Sequence, residues 1–408
     1  MTPPAAIHSA NAYGGVSPFK AGPTLRDDAR TWKRLELNHR RNLEQDHTEK
    51  MDAASAAFDF AACRDEMWNP ERYSLLWGTP IWEQASAAQR IALNHLYWIA
   101  YYSQIISAEI ATIFYNQTSA AGLYAEEDFR LVCDTLDLES TQERAHINAF
   151  RRVSDAVEKE LFAERIFSYA MRCPYDETMV HADSSAARRF WKKLQLRAWG
   201  LLSSGSAFIA CQYFTIRGLR TLNGKLVQHQ LSRYWANHQD RAQAPIPSAI
   251  SYYHFQDESY HFNTSMMVAQ DVVRSLRTPT RFEKAVVNTA IQGCQRDHFH
   301  FSTAITGIFW YDPALYAPIY KLLTSPCFGM DRGQALQLME RSFCRENDGM
   351  RESQRTHTTA RESYVKFLDG MDFISGENRE MALMQKSTLD RHLRDNQRAF
   401  ARFRREVA

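Results

Sequence analysis

Thirteen residues, Ser251-Tyr-Tyr-His-Phe-Gln-Asp-Glu-Ser-Tyr-His-Phe-Asn263, constrain this chain more than any other stretch. Their spacing predicts a helix on which His254, Glu258 and His261 fall at i, i+4 and i+7. A 3.6-residue period stacks these two imidazoles and one carboxylate on a single stripe. That is ligand chemistry for a non-haem metal: each imidazole nitrogen binds one ion, a carboxylate can bridge two, and facing helices of a bundle bring the remaining ligands. The stripe therefore demands partners elsewhere.

Two earlier runs supply them. Ser86-Ala-Ala-Gln opens a helical stretch, and Arg90 to Gln117 continues it without proline or glycine. It carries Glu109 inside the very apolar Ile105-Ile-Ser-Ala-Glu-Ile-Ala-Thr-Ile-Phe114. A buried carboxylate is costly unless it is paired, protonated or metal-bound, and pairing with an Arg or Gln is the structural alternative. The next helical region, Ala125 to Ala170, contains Gln142-Glu-Arg-Ala-His146, whose Glu143 and His146 share a face at i, i+3. One ExxH is a weak signal, since about one would arise by chance in a chain with 14 His among 408 residues. The second copy, Glu258 to His261, and the extra His254 one turn upstream strengthen it.

Helix resumes at Ala186 and is expected to run to Leu222, with Asn223-Gly224 as its break, residues 225 to 240 as a further helix and 242 to 247 as a turn. A later helix, from Arg281 to about Thr306, carries Asp297, His298 and His300. No alternating strand pattern of any length stands out, so the fold class is all-α. Residues 1–24, with four prolines and three glycines, read as a loose arm. Residues 25–330 read as one helical domain, and 331–408 as peripheral helices that suit a homodimer contact. The aromatic-rich connection from Glu66 to Trp82 reads as a loop that covers something.

Lys and Arg (49) nearly balance Asp and Glu (47), and a net charge of +2 gives no electrostatic case for nucleic acid or an anionic membrane. The basic stretch Arg391 to Arg405 is interleaved with polar and apolar residues and reads as a solvated helix face. Seven scattered cysteines without CxxC spacing suit reduced thiols. With no apolar run near the length of a membrane span and no secretory signal at the start, the expectation is a cytoplasmic protein.

Three carboxylates and three imidazoles on helices, in this order and spacing, resemble the diiron arylamine N-oxygenase family. Gly78-Thr-Pro-Ile-Trp-Glu, followed by Gln89-Arg90 and His95, is also similar to that family's entry to its first core helix. The resemblance covers residues 70 to 305 or so. It implies a ferritin-like four-helix bundle with additional N- and C-terminal helices, holding two Fe ions (Fe2+/Fe3+), or manganese, on Glu109, Glu143, His146, His254, Glu258 and His261. It also implies a further carboxylate on the third core helix, and Ala186 to Leu222 contains no Asp or Glu. Gln212, in Ile209-Ala-Cys-Gln-Tyr-Phe214, is the nearest candidate, with the Ser203 to Ser206 turn as the alternative. A glutamine lends an amide oxygen but no charge, so the second ion would be held less tightly; Gln212 as an ordinary core amide is the other reading.

The activity implied is that of an oxidoreductase, a monooxygenase using dioxygen to N-oxygenate or hydroxylate a small-molecule amine in biosynthesis. No flavin or nicotinamide fingerprint is present, so its electrons would come from an external donor. Tyr102, Tyr115, Tyr213, Tyr253 and Tyr260 are candidates to line a flat pocket or to be core. Arg217 and Arg296 are candidates to hold a substrate carboxylate or to face solvent. Asp257 and Asp297 are candidates to orient a ligand imidazole through its second N–H. Two rival readings stay open: a helical protein whose site is disarmed, and a diiron or manganese–iron oxidase of an aliphatic or carrier-bound substrate.

Overall fold

The computed structural model describes residues 24–168, 186–305 and 313–407. Its helices are, in chain order, α1 (Ala29–Glu44), α2 (Thr48–Ala56), α3 (Pro80–Gln84), α4 (Ala87–Leu123), α5 (Arg130–Phe162), α6 (Ala186–Ser204) and α7 (Ala207–Ala236). They continue with α8 (Ile246–Gln270), α9 (Arg281–Ile305), α10 (Tyr316–Thr324), α11 (Arg332–Phe343), α12 (Asp348–Leu368), α13 (Gly376–Arg379) and α14 (Leu389–Val407). No strand occurs among the described residues, and the all-α class holds. None of their helices is long and apolar enough to cross a membrane.

Four long helices close a ring: α4 packs on α5, α5 on α8, α8 on α7, and α7 back on α4. α4 owes its start to a capping box, in which the Ser86 hydroxyl accepts the Gln89 N–H (3.3 Å) and the Gln89 amide oxygen accepts the Ser86 N–H (2.9 Å). Burial on nearly every side explains why α4 is apolar all round, whereas α5 carries a one-sided apolar stripe. The N-terminal pair α1 and α2 lies across α5 and α8, α9 and α12 cover α7, and α11 packs on α3, α10 and α14. Residues 66–82 cover the start of α4: the Trp68 ring stacks on His95 at 3.9 Å, and Asn94 Oδ1 accepts the Trp68 and Asn69 N–H groups.

The chain departs from sequence expectation after residue 186. The break falls at Gly205–Ser206 rather than at Asn223-Gly224. Ser206 caps α7 by accepting the Ile209 N–H (3.3 Å) and donates to the Glu283 carboxylate at 2.7 Å. A glycine inside a helix costs only about 1 kcal/mol, which the long packed face between α7 and α8 offsets. The third core helix is therefore α7, and residues 225–236 are its second half. α5 likewise stops at Phe162 instead of near Ala170, because Ala163 turns left-handed (φ 58°) and the Glu158 carboxylate accepts the N–H groups of Ile166 (2.8 Å) and Phe167 (2.5 Å). Most of the expected N-terminal arm, 1–23, and the expected loop 173–185 lie outside the described residues.

Candidate metal centre

Helical spacing fixes which side chains meet. α8 turns His254, Glu258 and His261 into the ring, α5 brings Glu143 and His146, and α4 brings Glu109. Their donor atoms form two groups, each with all its atoms within 4.8 Å of one another: Glu109, His146, His254 and Glu258 in one, Glu143, Glu258 and His261 in the other. Glu258 belongs to both, the position of a bridging carboxylate. Its side chain is 18% exposed while the other five are at most 5% exposed, so of the six it stands nearest the surface.

Hydrogen bonds choose the nitrogen that His261 and His146 turn inward. His261 Nε2 lies 2.8 Å from the Gln142 amide oxygen, which takes its N–H and leaves Nδ1 to face Glu258 (3.0 Å) and Glu143 (3.4 Å). His146 Nε2 meets Asp257 Oδ2 at 3.2 Å, so its Nδ1 faces Glu143 (3.5 Å), Glu109 (3.7 Å) and Glu258 (3.9 Å). His254 presents Nε2 instead, 3.1 Å from Glu109 and 3.7 Å from Glu258.

A cation fits this arrangement. Glu109 Oε2, Glu143 Oε2 and His146 Nδ1 are buried without a hydrogen-bond partner, a condition that costs about 1–3 kcal/mol per group. Burial pushes the Glu109 carboxyl above the usual carboxylate range. At His146 burial opposes charge, yet the hydrogen bond to Asp257 and the nearby carboxylates of Glu109 and Glu143 outweigh it and hold the imidazole protonated well above its ordinary range. At Glu143 burial acts in the other direction and is overcome by His146 and His261, which keep the carboxylate ionised. Protons thus do what a metal would do. Carboxylate and imidazole donors with no thiolate among them suit iron or manganese.

The third core helix contributes no acid, since residues 207–236 contain no Asp or Glu. Gln212 is buried; its amide oxygen accepts the Thr215 hydroxyl (3.0 Å), and its Nε2 has no hydrogen-bond partner. Arg217 of α7 reaches the backbone of the ligand His261, and it neither faces solvent nor stands free for a substrate. It is buried, pairs with Glu139 at 2.8 Å and donates to the His261 carbonyl at 2.6 Å. Arg296 is exposed.

Of the five tyrosines, Tyr102 stands 5.7 Å ring to ring from His254 and donates to the Ser251 hydroxyl, while Tyr213 stacks near Tyr115 within range of the Glu143 charge. Tyr115 donates to the Leu196 carbonyl, Tyr260 to the Gln45 amide, and Tyr253 stacks beside His47. The Asp297–His300 run lies elsewhere: Asp297 meets Arg220 at 3.6 Å, and His298 sits between His357 and Tyr364. The His300 side chain lies outside the described residues. Asp297 is thus paired with Arg220, whereas Asp257 is in contact with His146.

Sequence reading missed Glu139, Gln142, Asn42 and His47. Glu139 was visible as a residue one turn before Glu143 on the same face; the other three carry no local signal.

A family model described as acyl halogenase CylC-like matches residues 30–404. No curated protein and no solved structure matches the chain.

Proposed function

The chain belongs to the CylC-like acyl halogenase family, and from that premise we propose that it is a dioxygen-dependent, dimetal oxidoreductase that replaces a C–H bond of an aliphatic acyl substrate with a carbon–halogen bond. The observation that carries this reading is the missing acid on α7. Two divalent ions bring four positive charges, the ligands Glu109, Glu143 and Glu258 bring three negative ones, and one positive charge is left over. Such a centre favours an anionic ligand, and a halide supplies the charge without filling the space of a carboxylate. The arylamine N-oxygenase likeness rests on the order and spacing of the sequence motifs and on the approach from Gly78 to His95.

When bound, the metal pair supplies the activation of dioxygen and open coordination positions. The reaction balances with an external donor: one dioxygen becomes two waters, taking two electrons from the donor and two from the joined C–H bond and halide. The chain's own part is positional. Glu258 stands nearest the surface of the six ligands, and Lys225 of α7, half-buried against the Phe262 ring (4.0 Å), places a positive charge within range of Glu258 that favours an arriving anion. Beside Glu109, half-buried Ile105, Ile110 and Ile113 offer apolar surface that suits an alkyl chain. Arg217, which would clamp a carboxylated arene, is already neutralised by Glu139.

The test is turnover of an acyl thioester by iron-loaded protein with dioxygen and a chemical reductant, in chloride, in bromide and without halide. Chlorinated product that becomes brominated product in bromide, and vanishes in Glu258→Ala, is expected by mass spectrometry. Halide-independent oxygen insertion, or oxidation of aryl amines alone, would sink the halogenase reading.

A further inference from the structure

Two of the three imidazoles are held from behind by the N-terminal layer, and each by a separate strut. Behind His146 stands Asp257, whose Oδ2 lies 3.2 Å from Nε2; its Oδ1 accepts both the backbone N–H (3.1 Å) and the ring Nδ1–H (3.0 Å) of His47, the residue that opens α2. Behind His261 stands Gln142, whose amide oxygen takes Nε2–H (2.8 Å) and whose amide nitrogen donates to Asn42 Oδ1 of α1 (2.9 Å). His254 has no such support; its Nδ1 is buried without a hydrogen-bond partner. The strutted imidazoles belong to different metal groups, His146 to that of Glu109 and His254, His261 to that of Glu143.

We propose that His47 and Asn42 are positioning residues for the metal pair, each governing one ion: His47 the ion held by Glu109, His146 and His254, and Asn42 the ion held by Glu143 and His261. The inference rests on the dimetal reading and adds to it that α1 and α2, outside the four-helix ring, form part of the centre. The physical reason is that a ring nitrogen faces a metal only while the opposite N–H is fixed, and that the fixing group needs fixing in turn. Without the His47 ring the Asp257 carboxylate, 0% exposed, loses its Nδ1–H donor, is left with the backbone N–H alone on that side, and can rotate away from His146. Without Asn42 the Gln142 amide can flip and turn its NH2 toward His261, demanding the other tautomer and withdrawing Nδ1 as a ligand. Asn42 is itself imperfectly satisfied, with Nδ2 buried and unpartnered, so packing alone gives little reason for an amide there.

The test is Mn(II) titration of the full chain, with bound and free ion followed by electron paramagnetic resonance and metal counted per chain, in wild type, His47→Ala, His47→Asn and Asn42→Leu. Repeating both truncations in a His261→Ala background, where only the group around His146 remains, separates the two struts. In that background His47→Ala weakens binding about tenfold and Asn42→Leu leaves it unchanged. In the otherwise native chain Asn42→Leu weakens one of two binding steps about tenfold and abolishes the spin-coupled signal at limiting Mn(II), and His47→Asn, which keeps a side-chain N–H donor, restores most of what His47→Ala loses. Wild type holding two ions with both truncations matching it would overturn the inference alone, as would equal weakening of both steps by either truncation. Wild type holding no ion above background would overturn the dimetal reading and the inference with it.

Discussion

The guanidinium of Arg217 lies 2.8 Å from the Glu139 carboxylate, with both side chains buried, and the same nitrogen donates to the carbonyl of His261 at 2.6 Å. Removing one partner leaves a charge stranded beside the metal ligands. Arg217→Met should destabilise the metal-free protein by about 3–5 kcal/mol, and Arg217→Met with Glu139→Leu should recover most of that loss. Chemical denaturation of the three proteins decides it; a double variant no more stable than the single one would refute the pairing as the cause.

Glu258 is shared by both metal groups, whereas Glu143 and Glu109 each belong to one. Metal analysis should therefore find near-complete loss in Glu258→Ala and loss of about one ion of two in Glu143→Ala or Glu109→Ala. Equal loss in all three would contradict the division into two groups.

Metal uptake should tighten as pH rises. At His261, burial opposes protonation but the charges of Glu258 and Glu139 overcome it, so this imidazole, like that of His146, is held protonated well above its ordinary value of 6.5. Both raised groups stabilise the metal-free fold fully below 6.5, and that contribution fades as pH climbs through their folded values. At Asp257, burial acts to raise the carboxyl and is outweighed by His146 and His47, which hold it at about 2, so its share is lost only in strong acid. Binding releases the two imidazole protons. Thermal melts with and without Mn(II) from about pH 6 to about pH 9 should show a gap that widens toward alkali. A gap that widens toward acid would contradict this.

Gly78 sits at φ 70°, and a Cβ there would lie 2.7 Å from the backbone nitrogen of Gly349, whose N–H donates to the Gly78 carbonyl at 3.1 Å. Gly78→Ala should cost about 1–3 kcal/mol through backbone strain and the lost close approach of α12. Metal content should stay at the wild-type level, because the contact lies outside the ligand shell; metal lost in step with stability would show that this joint also shapes the centre.

What the sequence determined by itself is the local part: that α8 would stack His254, Glu258 and His261, that α5 would pair Glu143 with His146, and that the fold class would be all-α. Helical spacing is a property of neighbours, so periodicity reads it directly. The tertiary structure decided what depends on distant partners. The α6–α7 break is secured by Ser206 meeting Glu283, 77 residues away, and that distant contact is why the chain breaks at the Ser203 to Ser206 turn and not at Asn223-Gly224. Arg217, a candidate substrate clamp or solvent-facing cation by sequence, is instead buried and neutralised by Glu139, 78 residues upstream. His47 and Asp257, 210 residues apart, meet only because α2 crosses α8. A buried charge or imidazole takes its role from whatever the fold places against it, and that placement is written across the chain rather than beside the residue.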